Sequence, residues 1–318
     1  MQTEELFRFS LKPIVTIIVC TLNREEVLCD TLRRVVTLIE HRNDAELIVV
    51  DQTRKHQDAT EQCLTELAGG LQLYRVEFAC LTRARNHGIR QATGEIILFL
   101  DDDVEPSPDL IDEHLACYAD PAVWGVAGCT LLPGARKLSR SELSPRELAD
   151  LEAGLTNRFD LDWPRRTTWA PGCNMSFRRD QLFQVGGFDE AFYGMAIGEE
   201  AELCHRLRLA GGHIQYSPNA KLIHLVSPSG GCRDAKKESE RITQLLDNAW
   251  YFHTRINTPV HRKLLVILKQ CFTIVACRQS IREWTWPIKA QACRRGVSTA
   301  FHHRRRTPIL GLFGMVDS

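Results

Sequence analysis

Three consecutive carboxylates, Asp101–Asp103, come directly after an apolar run in the segment IILFLDDD. The run Ile96–Leu100 predicts a strand that is buried on both faces, as in a parallel sheet. In open α/β sheets, ligands bind just outside the carboxyl ends of such strands. Neighbouring carboxylates repel one another, and a Mg²⁺ or Mn²⁺ ion that bridges a diphosphate relieves this repulsion. The alternative is that Asp102 or Asp103 only stabilises the N-terminus of a helix that begins near Pro108.

A second acidic pair, Glu199 and Glu200, precedes a predicted helix that carries Leu203 and Leu207. The pair either favours the positive end of that helix or includes a general base. His224 follows a short apolar stretch further along the chain. A lone histidine is more often structural than a ligand. This one would add the only nitrogen donor to an oxygen-rich metal site, so we retain it as a candidate ligand.

Buried strands must bring these groups together. The apolar run after Pro13 ends at Thr21, and the run Glu46–Asp51 ends in another carboxylate. Helical periodicity between the runs predicts alternating strands and helices, and therefore a parallel sheet with right-handed crossovers. Thr21, Asp51 and the aspartate triplet are then expected at one edge of that sheet.

Other segments carry weaker signals. Arg83 and Arg85 precede the acidic strand, where arginine can bind phosphate through two parallel hydrogen bonds, although an ordinary amphipathic helix would also explain them. Gly172 permits a tight turn before a predicted strand at Asn174–Phe177. The segment 133–163 lacks clear periodicity, which favours a mobile excursion or a helical insertion.

Length and composition indicate a soluble protein with one large α/β domain and an appendage, or with two domains. The chain has 318 residues, and its 40 Lys and Arg balance 40 Asp and Glu. The charge is uneven, because 241–306 holds thirteen Lys and Arg against two acids. The twelve cysteines form no C-x-x-C pair, and no secretory signal is recognised, so we expect reduced cytosolic thiols. No run reaches the roughly 20 apolar residues of a membrane span.

Six motifs and His224 occur together in one order: TLNR at 21–24, VVD at 49–51, ARNHGI at 84–89, FLDDD at 99–103, GGFDE at 186–190 and GEEAELCHRL at 198–207. In this combination the chain resembles a family 2 glycosyltransferase over roughly 13–230. The resemblance implies an α/β GT-A fold, with a mostly parallel sheet flanked by helices and a helical C-terminal extension. The resemblance implies a glycosyltransferase domain at 13–230, and the rest of the chain is then an N-terminal extension at 1–12 and a basic, aromatic-rich, helical extension at 231–318.

The resemblance further implies a role for each matching residue. Asp51 would hydrogen-bond the nucleotide base with Thr21 against it, and Asp101 would contact the ribose region. Asp103 would ligate Mn²⁺ or Mg²⁺, with His224 as a further ligand. The donor-binding residues implied in this way are Thr21, Asp51, Arg85, Asn86, Asp101 and Asp102.

The same resemblance implies an inverting transfer of a sugar from a nucleotide-diphosphate donor to a hydroxyl group. Glu200 occupies the position of the family's aspartate base, so it departs from the usual Glu-Asp pair by one methylene, and Glu199 remains the alternative base. On the acceptor side we place Gly172, Asn174 and Trp169, whose ring could stack on a sugar or simply pack in the core. A nucleotidyltransferase is the second hypothesis, although TLNREE lacks a glycine-rich phosphate loop. The third is a noncatalytic module that binds nucleotide sugars.

The basic segment 241–306 interleaves Trp250, Trp284 and Trp286 with lysine and arginine. Such a composition is typical of helices at an anionic membrane surface and also of nucleic-acid binding, while a helical appendage packed on the core is a further alternative. We favour the membrane and expect no nucleic acid. The predicted acceptor is then a glycan or a lipid-linked glycan of cell-surface polysaccharide synthesis. The chain would be cytoplasmic, either free or peripheral on the inner face of the cell membrane.

Overall fold

The computed structural model describes residues 13–231, 238–276 and 285–302. Within these ranges, nine strands form one sheet that is flanked by helices. The predicted N-terminal extension at 1–12 and Trp284 lie outside the described residues.

The strands are β1 (Val15–Thr21), β2 (Ala45–Asp51), β3 (Gln72–Arg75), β4 (Ile96–Leu100), β5 (Val104–Pro106), β6 (Val123–Leu131), β7 (Arg165–Thr167), β8 (Asn174–Arg178) and β9 (His213–His224). The α-helices are α1 (Glu26–Ile39), α2 (Asp58–Glu66), α3 (Leu81–Gln91), α4 (Leu110–Ala116), α5 (Pro145–Glu152), α6 (Arg179–Val185), α7 (Glu199–Leu209), α8 (Glu238–Arg255), α9 (Val260–Ala276) and α10 (Trp286–His302). Short 3₁₀ turns occupy Cys117–Ala119 and Arg140–Glu142.

The sheet order is β3-β2-β1-β4-β8-β6-β9-β5, with β7 on β9. The half formed by β3, β2, β1 and β4 is parallel, as the sequence predicts. The other half is mixed, because β8 runs antiparallel to β4 and β6 while β6 and β9 run parallel. A turn in which the Asn174 amide donates to the Pro171 carbonyl (2.9 Å) starts β8 at the edge where β4 ends, so β8 must run back. The expectation of a mostly parallel sheet therefore holds for one half only.

The central strands are buried on both faces. Along β1, Ile18 packs into one apolar cluster, whereas Ile17 and Val19 pack into the cluster on the opposite face. Successive side chains of a strand point to opposite faces, and helices cover both faces here. This is why the apolar runs of β1, β2 and β4 are continuous rather than alternating.

The segment 133–163 contains a helical insertion, one of the two structures expected for it. Helix α5 begins with a capping box, in which the Ser144 hydroxyl accepts from the Glu147 amide and the Glu147 carboxylate accepts from the Ser144 amide. Pro145 takes the first helical position, where its missing N–H costs no hydrogen bond.

Helices α8, α9 and α10 form their own apolar cluster around Trp250 and Ile267. Helix α8 fastens this layer to the sheet domain through polar contacts: the Arg255 guanidinium pairs with Asp189 (3.2 Å) and Glu202 (3.0 Å). None of the helices in the described part of the chain combines the length and the apolar character needed to cross a bilayer.

Candidate functional site

Three parallel strands end side by side at one edge of the sheet. In the ladder, Thr21 of β1 lies opposite Asp51 of β2, and Leu100 of β4 lies opposite Val19. The aspartate triplet begins one residue after Leu100. The predicted convergence of these groups at one sheet edge is therefore confirmed.

The three aspartates do not point the same way. Asp102 accepts hydrogen bonds from the Thr21 hydroxyl (2.7 Å) and from Nε of Arg24 (3.1 Å). Burial raises the pKa of Asp102 to about 7, although Arg24 and Thr21 oppose the rise. Asp101 and Asp103 lie on either side of it in the chain and face His224 instead. The chain bends at Asp102 and Asp103 between the end of β4 at Leu100 and the start of β5 at Val104, and the outer two carboxylates form the cluster with His224.

Asp101, Asp103 and His224 can each offer a ligand atom, and these atoms all lie within 4.8 Å of one another. The Nε2 atom of His224 is 3.2 Å from Asp103 and 3.8 Å from Asp101. His224 reaches this position because it ends β9, where it pairs with Val104 of β5. Burial disfavours the charged imidazole, but hydrogen bonds to Asp103 and Cys173 outweigh this and raise the pKa of His224 to about 10.

Arg24 is a cleft residue to which the sequence alone assigned no role. Its buried guanidinium pairs with Asp102 (3.1 Å) and Asp103 (3.2 Å). It also donates to the Ser227 carbonyl (3.3 Å) and to the Ser229 carbonyl. Arg24 thereby fastens the segment after β9 to the acidic triplet. The signal for this residue was present, since the arginine of TLNR follows directly on the polar loop after β1.

Arg85 connects the two acidic groups of the cleft. From helix α3 its guanidinium donates to Glu199 (2.9 Å) and to the Gly172 carbonyl (3.2 Å), and it lies 3.9 Å from Asp101. Its carbon Cζ also lies 5.1 Å from the centre of the Phe188 ring. Arg85 is therefore a cleft residue and not part of the solvated face of an amphipathic helix.

Glu199 and Glu200 begin α7 after Gly198, whose φ of 96° lies in the left-handed region. Burial and the neighbouring Glu200 raise the pKa of Glu199 well above its usual value, and Arg85 opposes the rise. The Oε2 atom of Glu200 is buried, and no described residue donates a hydrogen bond to it. Arg85 thus holds Glu199, whereas the buried Oε2 atom of Glu200 has no described donor.

A cleft of about 320 Å³ collects these groups. It is lined by the aspartate triplet, Glu199, Glu200, His224, Thr21, Arg24, Arg85 and Gly172, together with Cys173, Gln52, Met195 and Ile197. Gln52 was not anticipated from the sequence, although it follows Asp51 directly; its side chain accepts from the Cys80 amide (2.7 Å).

Four predicted site residues do not line this cleft. Asp51 accepts from the Thr53 amide (2.8 Å) and contacts His56 Nε2 (3.1 Å). Asn86 bonds the backbone of Phe188 through both its oxygen and its nitrogen (2.8 Å each). Both side chains are buried, and each makes hydrogen bonds within the protein.

Asn174 and Trp169, from the predicted acceptor side, are also held by the protein interior. The amide nitrogen of Asn174 donates to the carbonyls of Cys129 and Ala220 (3.0 Å each). The Trp169 ring stands edge-on to Phe159 with 4.9 Å between the ring centres. Gly172 is the predicted acceptor-side residue that does line the cleft.

The fold resembles that of known glycosyltransferases. A Pyrobaculum calidifontis mannosyltransferase, solved with GDP-Man and Mn²⁺, superposes with a TM-score of 0.56 at 17% identity over 92% of this chain and 76% of that one. S. aureus TarS 1–349 with UDP-GlcNAc gives 0.57 at 14% identity over 89% and 81%. These likenesses define the fold as GT-A.

The model of glycosyl transferase family 2 matches residues 16–182, more than half of the chain, and the chain belongs to that family. A model described as the N-terminal domain of galactosyltransferase matches residues 156–227. The Mycobacterium tuberculosis pre-mycofactocin glycosyltransferase is 32% identical over 145 residues, which are 44% of this chain and 29% of the relative. The validoxylamine A glucosyltransferase of Streptomyces hygroscopicus subsp. limoneus is 28% identical over 228 residues, 63% and 49% of the two chains. The chain thus spans half or less of the length of these curated relatives.

Proposed function

We propose that this protein transfers a sugar from a nucleotide-diphosphate donor to an acceptor hydroxyl group. One observation carries the proposal: a single cleft is lined both by the candidate cation ligands Asp101, Asp103 and His224 and by Glu200, whose buried Oε2 atom receives no hydrogen bond from a described residue. The cation site would stabilise the leaving diphosphate. The Glu200 carboxylate would accept the proton of the attacking hydroxyl. Family membership supports the reaction class.

The residues present fit a divalent cation. Two carboxylates and one imidazole, with open cleft beside them, form a ligand set that Mn²⁺ accepts readily and that Mg²⁺ accepts through its oxygens. Bound there, the ion would neutralise the negative charge that develops on the departing diphosphate. Asp103 is the anchor of the set, because the Ser227 amide (2.8 Å) and Arg24 fix its second oxygen.

Donor binding falls to the groups around the triplet. The Arg85 guanidinium, which lies between Asp101 and Glu199, can bind a phosphate oxygen of the donor. Asp102 supports this side of the cleft by holding Thr21 and Arg24 in place. For Asp51 we retain the role of binding the base through lone pairs that Thr53 and His56 leave free, and for Asn86 we assign the role of fixing the backbone at Phe188.

Glu200 is the proposed general base. Glu199 holds a proton more readily than an ordinary glutamate, and Arg85 fixes its position, so Glu200 is the better acceptor of the hydroxyl proton. Attack on the anomeric carbon from the side opposite the diphosphate would invert its configuration. Arg85 and Glu199 act in this scheme by positioning Glu200, which they adjoin.

We further propose residues 13–230 as the catalytic domain and 231–318 as a basic, helical extension that touches a membrane. Helix α9 supports the second part: Leu265, Leu268 and Phe272 are 64%, 63% and 74% exposed, and Lys269 lies among them. An apolar stripe flanked by cations suits an anionic lipid surface. A cytoplasmic chain held at the inner face of the cell membrane would then meet a lipid-linked glycan as acceptor.

The test combines donor binding with turnover. Thermal shift with a panel of nucleotide sugars, with and without Mn²⁺, identifies the donor, because a ligand of the native state raises the melting temperature. Asp103→Asn should remove the Mn²⁺-dependent part of that shift, whereas Asp162→Asn, at an exposed carboxylate, should keep it. A full Mn²⁺-dependent shift in Asp103→Asn would contradict the assigned cation site.

Turnover is measured as release of the nucleotide diphosphate from the identified donor. Glu200→Gln keeps the shape of the side chain but cannot take a proton, so the rate should fall roughly 10²- to 10⁴-fold with little change in donor affinity. Glu199→Gln should cost less, and Glu77→Gln, at an exposed glutamate, should change nothing. Donor binding without turnover in the wild type would favour a noncatalytic nucleotide-sugar-binding module.

A further inference from the structure

A second cavity, of about 500 Å³, lies between the C-terminal helices and the loop that precedes α7. Ile242 and Leu245 of α8, Ile274 of α9 and Met195 of the loop supply its apolar lining. Glu238, Arg241 and Lys289 supply its charged groups. A cavity of this size falls within the range of small-molecule sites, which are roughly 300–1,000 Å³.

Met195 belongs to both cavities, because it also lines the cleft that holds the aspartate triplet and Glu200. Helix α8 fixes this shared wall. The Met195 amide donates to Gln244 (3.3 Å), and the Asn248 side chain donates to the Tyr193 carbonyl (2.8 Å). The two cavities are therefore neighbours across a short stretch of chain whose position depends on the C-terminal layer.

Gly194 shows how closely the wall and the helix meet. A Cβ atom at this position would lie 2.2 Å from Oε1 of Gln244, and φ is +62°. The positive φ favours glycine, and any larger residue would have to displace the Gln244 carboxamide that bonds the Met195 amide. The close approach leaves Met195 as the side chain that separates the second cavity from the cleft.

The residues that line the second cavity favour one chemical class of ligand. Four apolar side chains favour an aliphatic chain, since roughly 25 cal/mol is gained per Å² of apolar surface removed from water. Lys289 pairs with Glu238 (3.0 Å), which leaves Arg241 as the excess charge of the cavity. A ligand with an aliphatic chain and one anionic group matches both features.

We propose that the second cavity binds the apolar, anionic aglycone of the sugar acceptor, which enters the cleft past Met195. This inference rests on the proposed transferase function, because it assigns the occupant from the position of Glu200. The attacking hydroxyl must lie at Glu200 in the first turn of α7, and Met195 lies five residues earlier, in the loop that leads into this helix and lines both cavities. An acceptor whose sugar lies at Glu200 therefore has its aglycone directed toward α8.

Farnesyl phosphate is the probe, used below its critical micelle concentration and titrated into the full chain by calorimetry. It should bind, and it should bind more tightly than farnesol or inorganic phosphate. Leu245→Asp places a carboxylate in the apolar lining and should weaken binding roughly tenfold or more. Leu209→Asp, at a side chain 75% exposed on α7, is the matched control and should bind as the wild type does.

A second variant, Leu245→Trp, fills the cavity without adding charge and should also weaken binding. Arg241→Gln should remove the preference for farnesyl phosphate over farnesol. Equal affinity of the wild type, Leu245→Asp and Leu245→Trp would overturn the proposal, as would binding of inorganic phosphate alone with the same affinity. Binding of nucleotide diphosphate with Mn²⁺ is measured in parallel, so a failed donor site is distinguished from a failed aglycone site.

Discussion

His114 makes the stability of the protein sensitive to acid. The side chain is buried on α4, with Nδ1 2.9 Å from the Ser176 hydroxyl and Nε2 2.9 Å from Oδ1 of Asn174. The Asn174 amide nitrogen donates to two carbonyl groups, so its Oδ1 can only accept, and Nε2 of His114 carries the proton. Burial lowers the pKa of His114 from 6.5 to about 4, although the bond to Asn174 opposes the shift.

The sign of the effect follows from proton binding. Between pH 6.5 and 4 the imidazole is protonated in the unfolded chain and neutral in the folded one. The unfolded state then binds more protons, so the free energy of unfolding falls as the pH falls through this window. At about 1.4 kcal/mol per pKa unit, the full loss is about 3 kcal/mol, and about 2 kcal/mol of it has occurred at pH 5.

His114→Gln tests the reasoning, since the glutamine amide can donate to Asn174 and its carbonyl oxygen can accept from Ser176 without titrating. Urea unfolding at pH 7.5 and pH 5 should show a loss of stability that is about 2 kcal/mol smaller in this variant than in the wild type. His41→Gln, whose side chain is 92% exposed, should behave as the wild type does. The same pH dependence in His114→Gln and the wild type would refute the explanation.

Three further outcomes are expected at the cleft and on α9. Gly230→Ala should destabilise the protein more than Gly134→Ala in urea unfolding, and it should also weaken donor binding. Both positions have a φ of +76°, but only a Cβ atom at Gly230 would meet a backbone oxygen, at 2.2 Å. Arg24→Leu should lower the melting temperature and enlarge the stabilisation by Mn²⁺, since Asp102 and Asp103 lose their cation; an unchanged Mn²⁺ effect would count against this. Replacement of both Leu265 and Phe272 by glutamate should reduce sedimentation with anionic liposomes at low salt. Equal sedimentation of this variant and the wild type would contradict a membrane role for α9.

The strands of the sheet centre could be predicted within a residue or two because burial on both faces leaves an unbroken apolar signature. Strand β9 could not: its twelve residues include Pro218 and alternate poorly, and a register shift breaks its pairing with β6 between Gly128 and Cys129. Its extent is set by its neighbours rather than by its own pattern. Helix α5 is the helical alternative expected for the segment 133–163, and the capping box that Ser144 and Glu147 form around Pro145 is a signal that the sequence does display.

The candidate site, like the fold, could be predicted from the sequence only in part. The acid-rich strand end and the Glu199–Glu200 pair were visible because like charges in sequence are unusual beside apolar runs. The orientation of each carboxylate was not visible in the sequence. Hydrogen bonds from Thr21 and Arg24, which lie 81 and 78 residues away in the chain, orient Asp102. Asn86 was assigned to the donor from its motif, whereas in the fold it holds the backbone at Phe188. A motif residue can thus support the site without lining it.

The charge balance of the cleft supports the proposed need for a divalent cation. Five carboxyl groups line it against two guanidinium groups and His224. The raised pKa values of Asp102 and Glu199 show that burial already drives this excess toward neutrality by proton uptake. A nucleotide diphosphate would add further negative charge to a site that Arg24 and Arg85 cannot balance, because both are already paired with carboxylates. Two positive charges placed at Asp101, Asp103 and His224 would make the cleft attractive to the donor and would leave Glu200 free to accept a proton.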